Sequence, residues 1–159
     1  MDIKKELGLL DYEKEIFECS SMGKIYLIDN FYNSKFPTLF LGYSEKYNKF
    51  YVFNIMDLCK STYADYLLCE VDLEKLCMID DKEITYKRLL EICEEENKLF
   101  YLGLSKNLVY EEFCKTTLED EDLLDTIPNG TYLFLNDGIF MKVFTFITNQ
   151  YLFDDKEDK

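Results

Sequence analysis

The sequence predicts an α+β fold, an antiparallel sheet built from an N-terminal meander and a C-terminal hairpin, with helices packed mainly on one face. Three observations carry this. Between Gly23 and Ile55 lie three runs rich in β-branched and aromatic residues, separated by two turn-like segments. Tyr86, Leu89, Leu90 and Cys93 recur at i, i+3, i+4 and i+7, one apolar stripe of a helix. Near the end, Thr131–Leu135 and Ile139–Thr148 flank Asn136-Asp137-Gly138, the strongest hairpin signal of the chain.

Taken in order, residues 1–18 open with Ile3, Leu7 and Leu10 at helical spacing, weakened by Gly8. Cys19–Gly23 links into the meander, whose strands are expected at Lys24–Phe31, Thr38–Ser44 and Lys49–Ile55, with turns at Tyr32–Pro37 and Glu45–Asn48. Leu39, Leu41 and Tyr43 share one face of the middle run, opposite Thr38, Phe40 and Gly42. In the third run Lys49, Tyr51, Phe53 and Ile55 alternate with Phe50, Val52 and Asn54. Both faces are partly apolar, so the meander is expected to be covered on one side and lightly solvated on the other. Met56–Tyr63 reads as irregular and Ala64–Val71 as a fourth strand.

Asp72 is the expected N-cap of a short helix with Leu73, Leu76 and Cys77 on one face. The clearest helix is expected over Glu83–Glu95, with Asp80 and Glu83 at capping-box spacing. Glu94, Glu95 and Glu96 sit at the end where the helix dipole disfavours them, which predicts fraying. Lys98–Leu104 returns as a strand, and Leu108–Phe113 is a further candidate. Thr116 or Thr117 would cap an acidic helix, Leu118–Asp125, and Pro128-Asn129-Gly130 is a turn. In the expected last strand Phe140, Phe144 and Phe146 occupy one face and Ile139, Met141, Val143 and Ile147 the other. Residues 1–153 read as one globular domain without internal repeat or linker, and the charged run 154–159 as a disordered tail.

Composition narrows the chemistry. Hydrophobic residues make up 48% and aromatics 16% of the 159 residues, which argues against disorder. His is absent, removing Ser-His and Cys-His nucleophile pairs and any His-ligated metal within one chain. Arg88 is the sole arginine, and there is no Gly-rich phosphate loop. The six cysteines form no Cys-x-x-Cys pair and mostly sit in apolar settings, so buried free thiols are expected and no structural disulfide. No apolar run approaches the roughly 18 residues of a membrane span, and the N-terminus lacks a signal-peptide core, so the expected location is cytoplasmic.

Gly23-Lys-Ile-Tyr, Phe36-Pro37-Thr-Leu-Phe40, Tyr51 and Ile84-Thr-Tyr-Lys-Arg88-Leu-Leu stand in the order G-h-h-h, P-x-L-F, Y and I-x-h-R-x-h-h. Over residues 20–135 the chain thereby resembles an uncharacterised family of small bacterial and phage domains. Leu118-Glu-Asp-Glu-Asp-Leu-Leu-Asp-Thr-Ile-Pro is similar to an acidic element near that family's end. The family has no assigned activity, so the resemblance supports the fold and implies no catalytic residue.

Charge and aromatic distribution supply the candidate sites. The formal charge is -14, a field that repels phosphate backbones and excludes direct nucleic-acid binding from the expectation. Glu111, Glu112, Glu119, Asp120, Glu121, Asp122 and Asp125 face the single Lys115, and such a line of carboxylates can imitate nucleic-acid phosphates. A solubilising helix face is the plainer account of the same residues. EF-hand spacing does not fit them. The second candidate is the Tyr/Lys meander, Lys24, Tyr26, Tyr43, Lys46, Tyr47, Lys49 and Tyr51, since interfaces favour Tyr. Half-buried strand rings explain those tyrosines equally well. Arg88 is an anion-binding candidate, or else a helix-surface partner of Glu91. Asp80-Asp81-Lys82 has the Asp-x-Lys spacing of a metal-dependent nuclease, although the pattern recurs at Asp154-Asp155-Lys156.

The expectation is therefore a non-catalytic intracellular binding protein with no catalytic residues, cofactor or metal site. Its partner would be another protein, one with a basic nucleic-acid groove if the acidic stretch acts as a mimic. That would suit an inhibitor of a nucleic-acid-handling or defence protein carried by a phage or mobile element. A small anionic ligand held at the mouth of a curved sheet, and a metal-dependent nuclease, are the alternatives.

Overall fold

A computed structural model of the chain describes residues 15–31, 39–59, 63–105, 111–118 and 130–157. Seven strands follow one another in sequence order, every neighbouring pair antiparallel. They are β1 (Glu15–Cys19), β2 (Gly23–Asn30), β3 (Leu39–Ser44), β4 (Lys49–Cys59), β5 (Tyr63–Val71), β6 (Leu99–Ser105) and β7 (Glu111–Lys115). Three helices complete the described residues: α1 (Leu73–Asp80), α2 (Tyr86–Glu95) and α3 (Ile139–Glu157). The class is α+β, as the sequence implies.

The sheet is curled, and its contacts show how far. Phe17 of β1 lies 6.2 Å from Phe53 of β4 and 5.6 Å from Tyr66 of β5, strands that are not its ladder neighbours. Tyr47, in the β3–β4 turn, stacks 6.3 Å from Phe113 of β7. Register shifts at Glu15/Phe17, Leu27/Asp29 and Ile55/Asp57 mark bulges, which bend a strand and sharpen its twist. One face thereby closes over itself. Ile25, Phe40, Tyr51, Phe53, Tyr66, Leu68 and Leu102 form its core together with Cys19 and Met22.

Gly42 makes this inner core possible. A Cβ there would stand 2.8 Å from the Phe53 ring, whose stacking on Phe40 has centroids 4.8 Å apart and planes 4° off parallel. A glycine inside a strand marks such a close approach.

The alternate residues of the same strands form the second core. Leu39, Leu41, Tyr43, Phe50, Val52, Leu67 and Cys69 join Leu76 and Ile79 of α1, Leu89, Leu90 and Cys93 of α2, and Val143 and Phe146 of α3. The alternation within β3 and β4 matches the sequence pattern, but its burial does not. All six β3 residues are buried, where one lightly solvated face was expected, because the curl of the sheet closes its inner face over itself.

The first two helices start where their side chains direct. Asp72 Oδ1 accepts from the Lys75 amide at 3.0 Å and caps α1. The cap of α2 is Thr85, whose Oγ1 accepts from the Arg88 amide at 3.2 Å. This corrects the expected Asp80/Glu83 capping box. Asp80 ends α1, and Lys82 turns the chain at φ 57°. The predicted stripe of Tyr86, Leu89, Leu90 and Cys93 is buried throughout.

Other expectations need correction. The C-terminal hairpin is absent: 131–135 joins no ladder, and Ile139–Glu157 is a helix. Apolar residues on both alternating faces fit a strand covered on two sides, yet Ile139, Val143, Phe146 and Ile147 also satisfy helical spacing. Length decides in favour of the helix, since 19 residues far exceed an ordinary strand. Asn136 and Gly138 instead start the helix, accepting from the Ile139 and Lys142 amides at 3.1 and 3.2 Å. Helix α3 runs through Glu157, into the charged run expected to be a tail.

At the other end, residues 15–18 belong to β1 and not to an N-terminal helix, because Phe17 finds a strand-face pocket on Phe53 and Tyr66. The supposedly irregular 56–63 extends β4 to Cys59 and starts β5 at Tyr63. The expected helix stripe of residues 3–10, the turn 32–37, residues 108–110 and the acidic helix beyond Leu118 fall outside the described residues.

Candidate interaction surfaces

The Tyr/Lys meander divides between interior and surface: Tyr26, Tyr43 and Tyr51 are buried, Lys24 is half-buried, and Lys46, Tyr47 and Lys49 are exposed. Tyr26, Tyr43 and Tyr51 are only 4%, 4% and 2% exposed, which makes them core residues and not a contact surface. Tyr51 carries a hydroxyl whose pKa is pushed well above the ordinary tyrosine range by burial, with the negative Glu70 adding to it. The Tyr26 hydroxyl donates to Glu45 at 3.1 Å, and that of Tyr43 to Asn48 Oδ1. Lys49 pairs with Glu70 at 3.3 Å. Tyr47 remains exposed, with Lys46 Nζ 5.5 Å from its ring centroid.

Those exposed turn residues hold the corner at which the curled sheet closes. Ser44 Oγ donates to the Met22 carbonyl at 2.7 Å, and Lys46 Nζ donates to the Ser20 carbonyl at 2.9 Å. Gly23, at φ 69°, lets the Lys46 backbone come close, since a Cβ there would stand 2.8 Å from Lys46 Cβ. From the far edge of the sheet Glu111 completes the corner. Its carboxylate accepts from the Ser20 amide at 3.0 Å, the Ser21 amide at 2.8 Å and the Ser21 hydroxyl. Burial pushes the Glu111 pKa up, but the bonds from Ser21 and Ser20 outweigh it and hold the group below the usual glutamate value. Beside this corner an open depression is lined by Glu18, Gly23, Lys24, Glu45 and Lys46. Of the acidic candidates Glu111 is therefore turned to an internal task, Glu112 is exposed on β7, and Glu119, Asp120, Glu121, Asp122 and Asp125 lie outside the described residues.

The remaining sequence candidates find ordinary partners. Arg88 lies 3.6 Å from both Glu91 and Glu95 on the open face of α2. Lys82 of the Asp80-Asp81-Lys82 run places its ammonium 4.8 Å from the Phe134 ring centroid. Among the described residues no group of three or more Asp, Glu or Cys is arranged to hold a metal ion. The described cysteines Cys19, Cys69, Cys77, Cys93 and Cys114 are free thiols. In the core the Cys93 thiol donates to the Glu70 carbonyl at 3.7 Å; burial raises the pKa of Cys69, and the neighbouring Cys69 thiol lowers that of Cys93. At 1% and 0% exposure neither reaches a substrate. Lys75 is likewise buried. Although burial pulls its pKa down, its 2.7 Å bond to Glu96 and the nearby Asp72 raise it overall.

A different surface emerges in the segment that the sequence misassigned. Among the described residues the exposed large apolar side chains are Tyr47, Tyr132, Phe134, Met141 and Phe144, and all but the first fall within 132–144. Phe134 and Met141 are 56% and 60% exposed. In α3 the stripe of Ile139, Val143, Phe146 and Ile147 faces the core, leaving Met141 and Phe144 off it. The sequence held this signal as apolar residues in excess of a single helical stripe. It was hidden because a strand reading distributes the same residues between two covered faces. Among the described residues no helix is long and apolar enough to cross a membrane. No protein-family model, curated protein or solved structure matches the chain.

Proposed function

We propose that this chain works without catalysis, by binding another protein through the apolar surface between Tyr132 and Phe144. One observation carries this: Tyr132, Phe134, Met141 and Phe144 are exposed, whereas every other large apolar side chain of the described residues except Tyr47 is buried or half-buried. Exposed clusters of Tyr, Phe and Met mark contact surfaces, and those residue types are enriched where interfaces desolvate. The helices, in this reading, lie mainly on the outer face of the sheet and present that surface. The ring-filled inner core supports the choice of a macromolecular partner over a small ligand inside the curl. A formal charge of -14 steers basic partners, in keeping with an inhibitor that occupies a nucleic-acid groove.

The test compares two variants as bait in a host lysate. One carries Phe134→Ser, Met141→Ser and Phe144→Ser; the other carries Glu119, Asp120, Glu121 and Asp122 changed to Gln or Asn. Loss of the captured partner by the serine variant alone supports the proposal. Loss by the neutralised variant alone assigns binding to the acidic stretch and overturns the apolar surface.

A further inference from the structure

The apolar surface includes a length of main chain with unusual bookkeeping. From Tyr132 to Asn136 the side chains are exposed, buried, exposed, half-buried and exposed, the alternation of an extended chain. Both ends are fastened to the fold. The Tyr86 amide donates to the Thr131 carbonyl at 2.8 Å, and the Asn136 amide donates to the buried carboxylate of Asp29 at 2.9 Å. Leu133 anchors the middle at 3% exposure. Yet among the described residues the backbone groups of Tyr132, Leu133, Phe134 and Leu135 make no hydrogen bond. A main chain with alternating side chains, fixed at both ends and unpaired among the described residues, offers its free backbone groups as the open edge of a sheet does.

Charge selects among possible occupants. A second copy would bring another -14 against the first, and long-range repulsion opposes that pairing. A protein of net positive charge is attracted by the same field. The edge itself, Tyr132 to Leu135, carries no charge, so contact there is apolar and main-chain in character.

We propose that residues 132–135 are a docking edge for strand addition, taking up an extended segment of a net-basic partner whose backbone pairs with theirs and whose apolar side chains meet Tyr132 and Phe134. The inference rests on the apolar-surface reading above and adds the partner's conformation and charge. Backbone pairing supplies the affinity, and alternate side chains supply the selectivity. Because backbone groups of alternate residues point to the same edge, the pairing engages either Tyr132 and Phe134 or Leu133 and Leu135.

The test uses random dodecapeptides displayed as a library and selected on the immobilised full chain, with the best sequence then synthesised. The expected peptide alternates apolar residues and carries net positive charge. In amide-exchange NMR it should slow exchange at alternate residues of 132–135. N-methylation of its alternate amides should weaken binding about tenfold or more in one register and little in the other, a loss of the size one or two backbone hydrogen bonds give. Phe134→Ser should also weaken it without lowering the melting temperature by more than a few degrees. A peptide that binds across Met141 and Phe144 with no amide slowed in 132–135 overturns strand addition but leaves the apolar surface standing. Peptides that bind elsewhere, or none selected, overturn both. A concentration-dependent dimer in sedimentation that Phe134→Ser dissolves overturns the basic partner in favour of a second copy.

Discussion

Two regions of the molecule leave aromatic rings in water, the β3–β4 turn and the stretch from Tyr132 to Phe144, and their neighbours separate them. Tyr47 is 40% exposed, yet its inner side stacks on Phe113, and the lysine beside it is bonded to the Ser20 carbonyl. Phe134 is 56% exposed, and among the described residues its one ring or charge partner is the Lys82 ammonium and the backbone on either side of it is unpaired. The first ring closes a curled sheet. The second closes nothing. Fractional exposure alone would rank them together, whereas the accounting of contacts and backbone hydrogen bonds assigns one to the fold and the other to a partner.

The comparison can be broken most forcefully from the inside of the curl. Phe53→Ala removes a fully buried ring that contacts Phe17, Phe40, Tyr51 and Tyr66, and the expected loss is about 3–5 kcal/mol in urea unfolding. A loss below about 1 kcal/mol would show that the inner core does not hold the sheet closed.

Glu111→Gln tests the closing corner itself. Three donors converge on that carboxylate, and its partial exposure moderates the effect to about 1–2 kcal/mol at neutral pH. The sign with pH follows from the depressed pKa. The contribution is complete above the unfolded glutamate value and is lost as pH falls through the lower folded value. Urea midpoints of wild type and variant should therefore differ at pH 7 and converge in strong acid. Equal midpoints at pH 7 would remove the corner from the account.

Paired substitutions on the two exposed rings sharpen the contrast further. Tyr47→Ser should cost about 1 kcal/mol, the worth of an aromatic pair, and leave partner capture unchanged. Phe134→Ser should cost about 0.5 kcal/mol, the lower end for an exposed cation–π contact, and reduce capture. A reversal of this pattern in melting and pull-down experiments would exchange the roles given to the two regions. Arg88→Gln sets the baseline. With its pairs to Glu91 and Glu95 both on the open face of α2, it should change stability by only about 0.2–0.5 kcal/mol.

Local sequence determined β2, β3, the first part of β4, β5, β6 and the first two helices. The period-2 pattern placed Leu39, Leu41 and Tyr43 opposite Phe40, and Asp72 marked the start of α1, because alternation and capping depend on residues within a turn of one another. Pattern alone left Ile139–Thr148 undecided, since an apolar run long enough to satisfy both periods names no single structure. Distance along the chain was the harder limit. Nothing near Glu111 in sequence foretells that it will bind Ser20 and Ser21, ninety residues away, or that Phe17 will reach Phe53. Those meetings follow from the curl of the whole sheet, which turned one interface acid into a clasp, while Tyr51 entered the inner core and Tyr26 and Tyr43 the core shared with the helices. Burial is a property of what lies above a residue, and only the tertiary structure brings that neighbour into place.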